Sequence, residues 1–145
     1  MNEAVVTVRA ATADDAERIA TMLDDEGYVA GPSDLAVRLE RYTSIGSTVL
    51  VAEASGEVVG FVSLLILPRF EVDELFARIS ALVVDPGVRE RGVGRMLMEA
   101  AELTARTAGV SFLEVTSGHH RPDARRLFES LGYDEGVAAY LRKRA

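Results

Sequence analysis

The stretch that decides the fold reads Ala81-Leu82-Val83-Val84-Asp85-Pro86-Gly87-Val88-Arg89-Glu90-Arg91-Gly92-Val93-Gly94-Arg95. It begins as an apolar strand, turns at a proline–glycine pair, and then opens a helix with two closely spaced glycines. The first N–H groups of a helix have no partner within it and carry a partial positive charge, which suits a pyrophosphate. Gly92 and Gly94 remove side chains that would hold an anion away from the backbone. Arg89, Arg91 and Arg95 add positive charge at the same point.

Three explanations compete for this loop. A P-loop is excluded because the only lysine, Lys143, lies far along the chain. A dinucleotide-binding fingerprint needs a third glycine where Leu97 stands, and here seven residues separate the strand from the first glycine. Glu114 nevertheless lies twenty residues beyond Gly94, as a ribose-binding acid would. The third explanation is a helix start whose glycines serve packing alone.

Hydrophobic patterning predicts the elements on either side of the loop. Strands are predicted over 5–8, 48–52, 58–67, 78–84, 110–116 and 137–141, and helices after Thr12, from 33, over 92–108 and over 122–131. This order is typical of a mixed α/β domain with a central antiparallel hairpin and a late strand–helix–strand unit. For the helix over 92–108, we predict that Met96, Ala100, Leu103 and Thr107 share the buried face.

The composition excludes several classes of protein. A chain of 145 residues with 48% hydrophobic and 27% charged residues is a globular composition, and we expect one domain over 1–145. No apolar run is long enough to cross a bilayer, and residues 1–10 do not resemble a secretory signal, so we expect a cytoplasmic location and no membrane partner. The absence of cysteine excludes disulfides and thiolate metal sites. A net charge of -7 disfavours nucleic acid. It weakly favours a cationic acceptor, although solubility alone is the preferred explanation of this charge.

The loop resembles motif A of the GNAT superfamily of N-acetyltransferases, whose signature Arg/Gln-x-x-Gly-x-Gly/Ala stands here as Arg89-x-x-Gly92-x-Gly94. The resemblance covers nearly the whole chain. It includes the opening strand with Arg9, and the stretch from Ala124 to Tyr133 is similar to the family's A-x-x-x-Y-E-x-x-G-F. It implies a GNAT fold, which has a central, mostly antiparallel, twisted sheet of about six to seven strands with a V-shaped splay and about four helices around it.

The resemblance also implies acetyl-CoA as co-substrate and no metal. Backbone groups of Leu82 and Val84 would bond the pantetheine arm at the splay as though it were another strand. A main-chain N–H there would polarise the thioester carbonyl. Val83, between Leu82 and Val84, is also expected among the cofactor-binding residues. The pyrophosphate would rest on the glycine loop, whose cofactor-binding residues are Arg89, Glu90, Arg91, Gly92, Val93, Gly94 and Arg95.

In the superfamily the acceptor amine attacks the thioester directly in a ternary complex, so the enzyme positions two substrates and removes a proton. Glu114 matches the proton acceptor of the ribosomal-protein alanine acetyltransferases that the chain resembles. Alternation along the strand places it opposite Leu113 and Val115. An exposed strand glutamate is the alternative interpretation. His119 follows this strand and is assigned to cofactor contact rather than to catalysis.

Phe128 departs from the family pattern, which commonly places a tyrosine there as the acid for the departing CoA sulfur. Phenylalanine donates no proton, but a thiol can leave as thiolate with little help. The role of general acid therefore stays empty. Phe128 also motivates a different hypothesis, in which the chain is a non-catalytic acyl-CoA-binding or regulatory domain.

The acceptor is the least determined part of the function. The loops at 27–31 and 68–74 would line its side of the cleft. We expect acetyl transfer to a primary amine, either of a small molecule such as a polyamine or aminoglycoside, or of a protein. Because superfamily members are often dimers, a homodimer is an expectation by analogy alone.

Overall fold

The computed structural model describes residues 5–44, 46–88, 91–116, 122–134 and 142–145. Its elements in chain order are β1 (Val6–Ala10), α1 (Ala16–Asp25), α2 (Pro32–Ser44), β2 (Thr48–Ala54), β3 (Glu57–Pro68), β4 (Leu75–Val84), α3 (Val93–Thr107), β5 (Val110–Val115) and α4 (Pro122–Ser130). Single 3-10 turns cover Ala13–Asp15 and Pro86–Val88. The order agrees with the one predicted from patterning as far as α4.

The strands form one sheet in the order β1-β2-β3-β4-β5. The first three pairings are antiparallel, and β4 pairs with β5 in parallel, with α3 as the crossover between them. The described residues thus form five strands of the six to seven expected. The predicted strand at 137–141 lies outside the described residues. The mixed α/β class and the mostly antiparallel sheet are confirmed.

Helices cover both faces of this sheet. On one face, Ile19 of α1 and Leu35 of α2 pack with Phe61 and Val83 of the sheet. On the other face, residues of α3 and α4 pack against residues such as Val62 and Ile79 of β3 and β4. Each apolar side chain fully removed from water stabilises the fold by about 1.5–3 kcal/mol. Within the described residues, none of the helices has the length and apolar character needed to cross a bilayer.

The buried face of α3 differs from the one predicted. The side chains in the core are Val93, Leu97, Met98, Ala101 and Ala105, whereas Leu103 of the predicted face is 60% exposed. The helix carries two neighbouring apolar stripes, one residue apart in sequence, and periodicity alone does not choose between them. The stripe with two alanines faces the sheet, because small side chains let the helix lie close to it.

The sheet changes its pairing in the middle of β4. Ser63 pairs with Ala81 while Leu64 pairs with Ile79, so Ser80 is an extra residue that forms a β-bulge. The pairs between β4 and β5 end at Ile79 and Val115. From Ala81 to Val84, β4 continues along β3 alone among the described strands. β5 ends at Val115, and residues 117–121 lie outside the described part of the chain, so the splay that the resemblance implies stays a prediction.

Arg9 connects three elements on the β1 side. Its guanidinium donates to Asp15 at 2.8 and 2.9 Å and to Glu53 of β2 at 2.7 Å. Asp15 is buried and also accepts a hydrogen bond from the Thr12 N–H at 2.8 Å. The Arg9 hydrogen bonds are the main reason that the pKa of Asp15 lies below its ordinary value. A charge-assisted network thus fixes the start of α1 to the sheet.

Candidate active site

The turn before α3 has the geometry of an anion-binding helix start. Gly92 is the N-cap of the helix, with φ 80° and ψ 8°. This left-handed conformation is energetically unfavourable for any residue that has a side chain. α3 begins at Val93, whose side chain is buried, and the Met96 N–H already bonds the Gly92 carbonyl at 3.0 Å. Arg91 precedes the glycine and is exposed. The N–H groups of the first turn are therefore directed outward at the end of the helix.

Glycine is needed at position 94 for a different reason than at position 92. A Cβ at position 94 would lie 3.2 Å from Cδ2 of Leu127 in α4, which is tighter than an ordinary contact. A Cβ at position 92 would meet nothing within 4 Å, so conformation and not space requires glycine there. Packing against α4 thus explains the glycine at position 94. The glycine at position 92 is explained by the backbone conformation of the turn.

Arg95 connects two helices. Its Nη2 donates to Oγ of Ser130 in α4 at 2.6 Å, and its Nη1 lies 3.8 Å from the Glu99 carboxylate one turn along α3. Because the side chain is 45% exposed, these contacts contribute little to stability on their own. They orient the guanidinium toward α4, which patterning did not indicate.

Backbone groups at the end of β4 alternate between its two edges. The Asp85 N–H donates to the Val59 carbonyl of β3 at 2.8 Å. Since backbone groups alternate along a strand, those of Val83 also face β3, and those of Leu82 and Val84 face the opposite edge, where the pairs with β5 have already ended at Ile79. This orientation is compatible with a pantetheine contact at Leu82 and Val84, and the cofactor contacts of all three residues stay predictions.

The loop after β4 is fixed to α1. The Arg18 side chain pairs with the Asp85 carboxylate and donates from Nε to the Val58 carbonyl at 2.9 Å. The other carboxylate oxygen of Asp85 accepts from the Gly87 N–H at 2.7 Å. The same aspartate thereby orders the turn and ties it to the helix layer on the other face.

Glu114 is paired across the parallel strands. It stands opposite Arg78 in the register, and Arg78 Nη2 donates to its Oε2 at 2.9 Å. The Arg78 guanidinium also lies 5.4 Å from the centre of the Phe76 ring. Leu113 and Val115 pack on the core around α3, so Glu114 lies on the opposite face, as alternation predicts.

A cavity of about 440 Å³ opens on the face of the sheet that α1 and α2 cover. Its walls are mostly apolar, and its lining residues are Ile19, Leu23, Glu26, Tyr28, Leu35, Arg38, Leu39, Tyr42, Val49, Phe61, Ser63, Ser80, Ala81, Leu82, Val83 and Ala124. Tyr28 belongs to the predicted acceptor loop at 27–31. The lining includes none of the described residues of the other predicted loop, 68–74. Leu82 belongs both to this lining and to the part of β4 that lies beyond its last pair with β5.

Three hydroxyl groups meet in the wall of this cavity at the bulge. Oγ of Ser63 lies 2.7 Å from Oγ of Ser80, which lies 3.4 Å from the Tyr42 hydroxyl. Ser63 is buried, and the other two are half-buried. Sequence reasoning missed this network. The only sequence signal for it was a serine within each of two mostly apolar strands, β3 and β4.

Phe128 lies in the core and not in the cavity. It is 7% exposed, and its ring meets that of Tyr133 edge to face, with centroids 6.2 Å apart. The Tyr133 hydroxyl donates to Glu102 at 2.8 Å. Burial is the main cause that raises the pKa of Tyr133 well above its ordinary value, with the Glu102 hydrogen bond as the next. Neither ring therefore provides a general acid.

Three predicted cofactor contacts, Arg89, Glu90 and His119, lie outside the described residues. Within the part of the chain that the structure describes, no group of three or more His, Asp or Glu side chains is placed to hold a metal ion.

Comparison with known proteins identifies the family. The model described as "Acetyltransferase (GNAT) family" matches residues 16–133. The uncharacterized N-acetyltransferase YhfO of Bacillus subtilis (strain 168) is 35% identical over 103 residues, which cover 70% of this chain and 66% of that protein. An aminoalkylphosphonate N-acetyltransferase of Salmonella typhimurium is 34% identical over 85 residues, which cover 59% of this chain and 55% of that protein. The chain thus matches less than two thirds of the length of either relative.

The fold is found in solved structures as well. An aminoglycoside N-acetyltransferase solved in complex with CoA matches with a TM-score of 0.83 at 17% identity, over 99% of this chain and 98% of that one. At 17% identity, this similarity supports only the fold. The family model covers most of the chain and includes the Gly92 turn, the β4–α3–β5 unit and the cavity lining. The chain belongs to the GNAT acetyltransferase family.

Proposed function

We propose that the protein transfers an acetyl group from acetyl-CoA to the primary amine of a small molecule, by direct attack in a ternary complex. The observation that carries the proposal is the position of Leu82. It lies on β4 beyond the last pair with β5, on an edge where an extended thioester arm would pair with the strand, and it also lines the cavity. A donor and an acceptor that approach from these two sides meet at one residue.

On the donor side, the residues fit a CoA-type group. The backbone of Leu82 and Val84 receives the pantetheine arm, and an N–H there polarises the thioester carbonyl. The Gly92 turn and the first N–H groups of α3, with Arg91 beside them, hold the pyrophosphate. Arg89, Glu90, Val93, Gly94, Arg95 and His119 complete the proposed cofactor contacts. The solved relative in complex with CoA supports this kind of ligand.

On the acceptor side, the hydroxyl network at the bulge holds the amine. Ser80 and Tyr42 line the cavity beside Leu82 and offer oxygen acceptors to an N–H donor. Glu114 accepts the proton that the attacking amine loses. It lies on the same face of the sheet as Ser80, across from Arg78 two residues earlier on β4, so a water molecule between Ser80 and the carboxylate would complete the path.

The cavity favours a small molecule over a protein chain as acceptor. Its volume of about 440 Å³ lies within the range of sites that enclose small ligands, about 300–1,000 Å³. The named relatives act on aminoalkylphosphonates and aminoglycosides, which are small amines. The cytoplasmic location, the single domain over 1–145, the absence of nucleic-acid and membrane partners, and the homodimer stay predictions from the sequence.

The experiment that tests the proposal is a thiol-release assay. Purified protein is given acetyl-CoA and a panel of amines, and free CoA thiol and acetylated product are measured together. We expect equal amounts of both with at least one small amine, and competition by desulfo-CoA. Acetylation of peptide N-termini or lysines with no small amine accepted would refute the choice of acceptor.

A second candidate function follows from Phe128. Because this buried ring replaces the usual acid and Tyr133 is committed to Glu102, the protein would bind acyl-CoA without turnover. Calorimetry with CoA distinguishes the two candidates. Tight CoA binding without thiol release for any amine favours a binding domain, and a lack of CoA binding refutes both.

A further inference from the structure

Arg38 brings a positive charge to a cavity whose walls are mostly apolar. It lies on α2 between Leu35 and Tyr42, one helical turn from each, and all three residues line the cavity. A residue on the apolar stripe of an amphipathic helix is ordinarily apolar. The arginine is exposed and makes no ion pair with a residue that the structure describes.

The arginines that contact the sheet behave differently. Arg9, Arg18 and Arg78 each have their guanidinium paired with a carboxylate. Arg38 therefore supplies a positive charge that this cavity does not neutralise by such a pair, in a protein with a net charge of -7. Guanidinium groups bind carboxylate and phosphate-type oxygens in a bidentate manner, which a lysine or an amide does not reproduce.

Glu26 is the other charged residue among the described lining residues. It already takes part in an interaction within the protein, so Arg38 is the charged group that we assign to the ligand. The lining thus combines one guanidinium with the hydroxyl acceptors of Ser80 and Tyr42. This arrangement is complementary to a molecule that carries both an anionic group and an amine.

We propose that the acceptor is a short amine that also carries an anionic group, a carboxylate or a phosphonate, and that Arg38 binds this group. The inference rests on the proposed function and specifies its substrate class. The amine lies at Ser80 and Leu82, and the anion lies toward Arg38. Tyr42 contacts Ser80, and the four residues from Arg38 to Tyr42 rise about 6 Å along the helix, so a short carbon chain spans the two groups.

The test compares amines of similar length that differ in charge. Steady-state thiol release is measured for 2-aminoethylphosphonate and β-alanine, and for propylamine and ethanolamine as uncharged counterparts. We expect KM to be at least about tenfold lower for the two anionic amines, because a hydrogen-bonded ion pair is lost in the others.

Arg38→Gln provides the decisive comparison. We expect it to raise KM for the anionic amines by about 10- to 100-fold, with kcat within about twofold and with the uncharged amines unaffected. Arg38→Lys should restore part of the difference, since it keeps the charge and loses the bidentate geometry. The matched control is Arg41→Gln, the same change of charge on an exposed residue of α2 that is not among the cavity lining.

The outcomes separate this inference from the function beneath it. If the wild type prefers uncharged amines, or if Arg38→Gln changes KM equally for both kinds of amine, the inference is wrong and acetyl transfer stands. If neither the wild type nor the variants release thiol with any amine, acetyl transfer is wrong and the inference is wrong with it.

Discussion

The Glu114 carboxylate and the Arg78 guanidinium lie 2.9 Å apart across the parallel strands β4 and β5, one pair before the last pair, Ile79 and Val115. Both side chains are about one third exposed. The ion pair lies on the face of the sheet that carries the cavity, two residues before Ser80 on β4. It fixes the position of the Glu114 carboxylate, and it gives this residue a structural role that must be separated from the proposed catalytic one.

Replacing Glu114 by glutamine tests the catalytic role. If the carboxylate accepts the amine proton, we expect Glu114→Gln to lower kcat/KM by about 10²–10⁴-fold near neutral pH. The loss should shrink as pH approaches the pKa of the acceptor amine, because the amine then arrives neutral. The measurement is the pH profile of thiol release. The control is Glu99→Gln, which makes the same change at an exposed glutamate of α3 that is also ion-paired.

A structural role for Glu114 predicts a different profile. If the pair with Arg78 serves only to hold β5, then Glu114→Gln and Arg78→Gln lower activity by similar factors that do not depend on pH. That result would remove Glu114 from the proposed mechanism and leave the donor and acceptor sites as they are.

Gly92 allows the cofactor turn to be tested against a matched glycine. Gly92 and Gly109 stand beside opposite ends of α3 with φ 80° and 88°, and a Cβ would meet nothing within 4 Å at either. Alanine at each position should cost about 1–2 kcal/mol of unfolding free energy, measured by chemical denaturation. We expect Gly92→Ala alone to weaken CoA binding by tenfold or more in calorimetry. Equal CoA affinity in the two variants would contradict the assigned pyrophosphate position.

The unit from β4 through α3 to β5 could be predicted because its signals are local. An apolar strand, a proline–glycine turn and a glycine-capped helix each depend on a few adjacent residues. The family resemblance rests on the same local signals, and the predicted order of strand, turn, helix and strand is the one that the structure has. Glu114 was likewise placed on the correct face by alternation alone.

The rest depends on contacts between distant parts of the chain. The Ser63–Ser80 pair exists because the bulge at Ser80 shifts the register, which no local pattern indicates. The ion pair between Arg78 and Glu114 joins residues 36 positions apart through a parallel register. The cavity forms only where α1 and α2 pack on the sheet. From the sequence alone, Arg38 and Tyr42 therefore look like ordinary residues of an amphipathic helix, and their place in the cavity wall could not be predicted.

Asp15 makes stability depend on pH in the acid range. Its pKa lies below the ordinary value chiefly because of the Arg9 hydrogen bonds, so its contribution is complete above the unfolded pKa of about 4 and is lost as pH falls toward the folded value. We expect Asp15→Asn to cost about 1–3 kcal/mol at pH 7. The difference from the wild type should narrow below about pH 4 in denaturant titrations.

The exposed neighbour Asp14 provides the control for this effect. Asp14→Asn should change the unfolding free energy by no more than about 0.5 kcal/mol, since it loses only a helix-end charge. A constant difference between the wild type and Asp15→Asn from pH 7 to pH 3 would show that the Arg9 pair does not set the acid dependence.

Phe128→Tyr addresses the missing general acid. The ring is buried among apolar side chains, so a hydroxyl without a partner there should cost about 1–3 kcal/mol of stability. We expect kcat to rise by less than about twofold, because a CoA thiol leaves as thiolate with little help, whereas a true acid would contribute about 10²–10⁴-fold. Phe112→Tyr adds the same hydroxyl to a ring that is 53% exposed and serves as the control. An increase of tenfold or more in Phe128→Tyr alone would mean that sulfur departure limits the reaction. In that case, the departure of CoA as thiolate at neutral pH is too slow without help, and this chain lacks the tyrosine that is commonly the general acid at this position in the family.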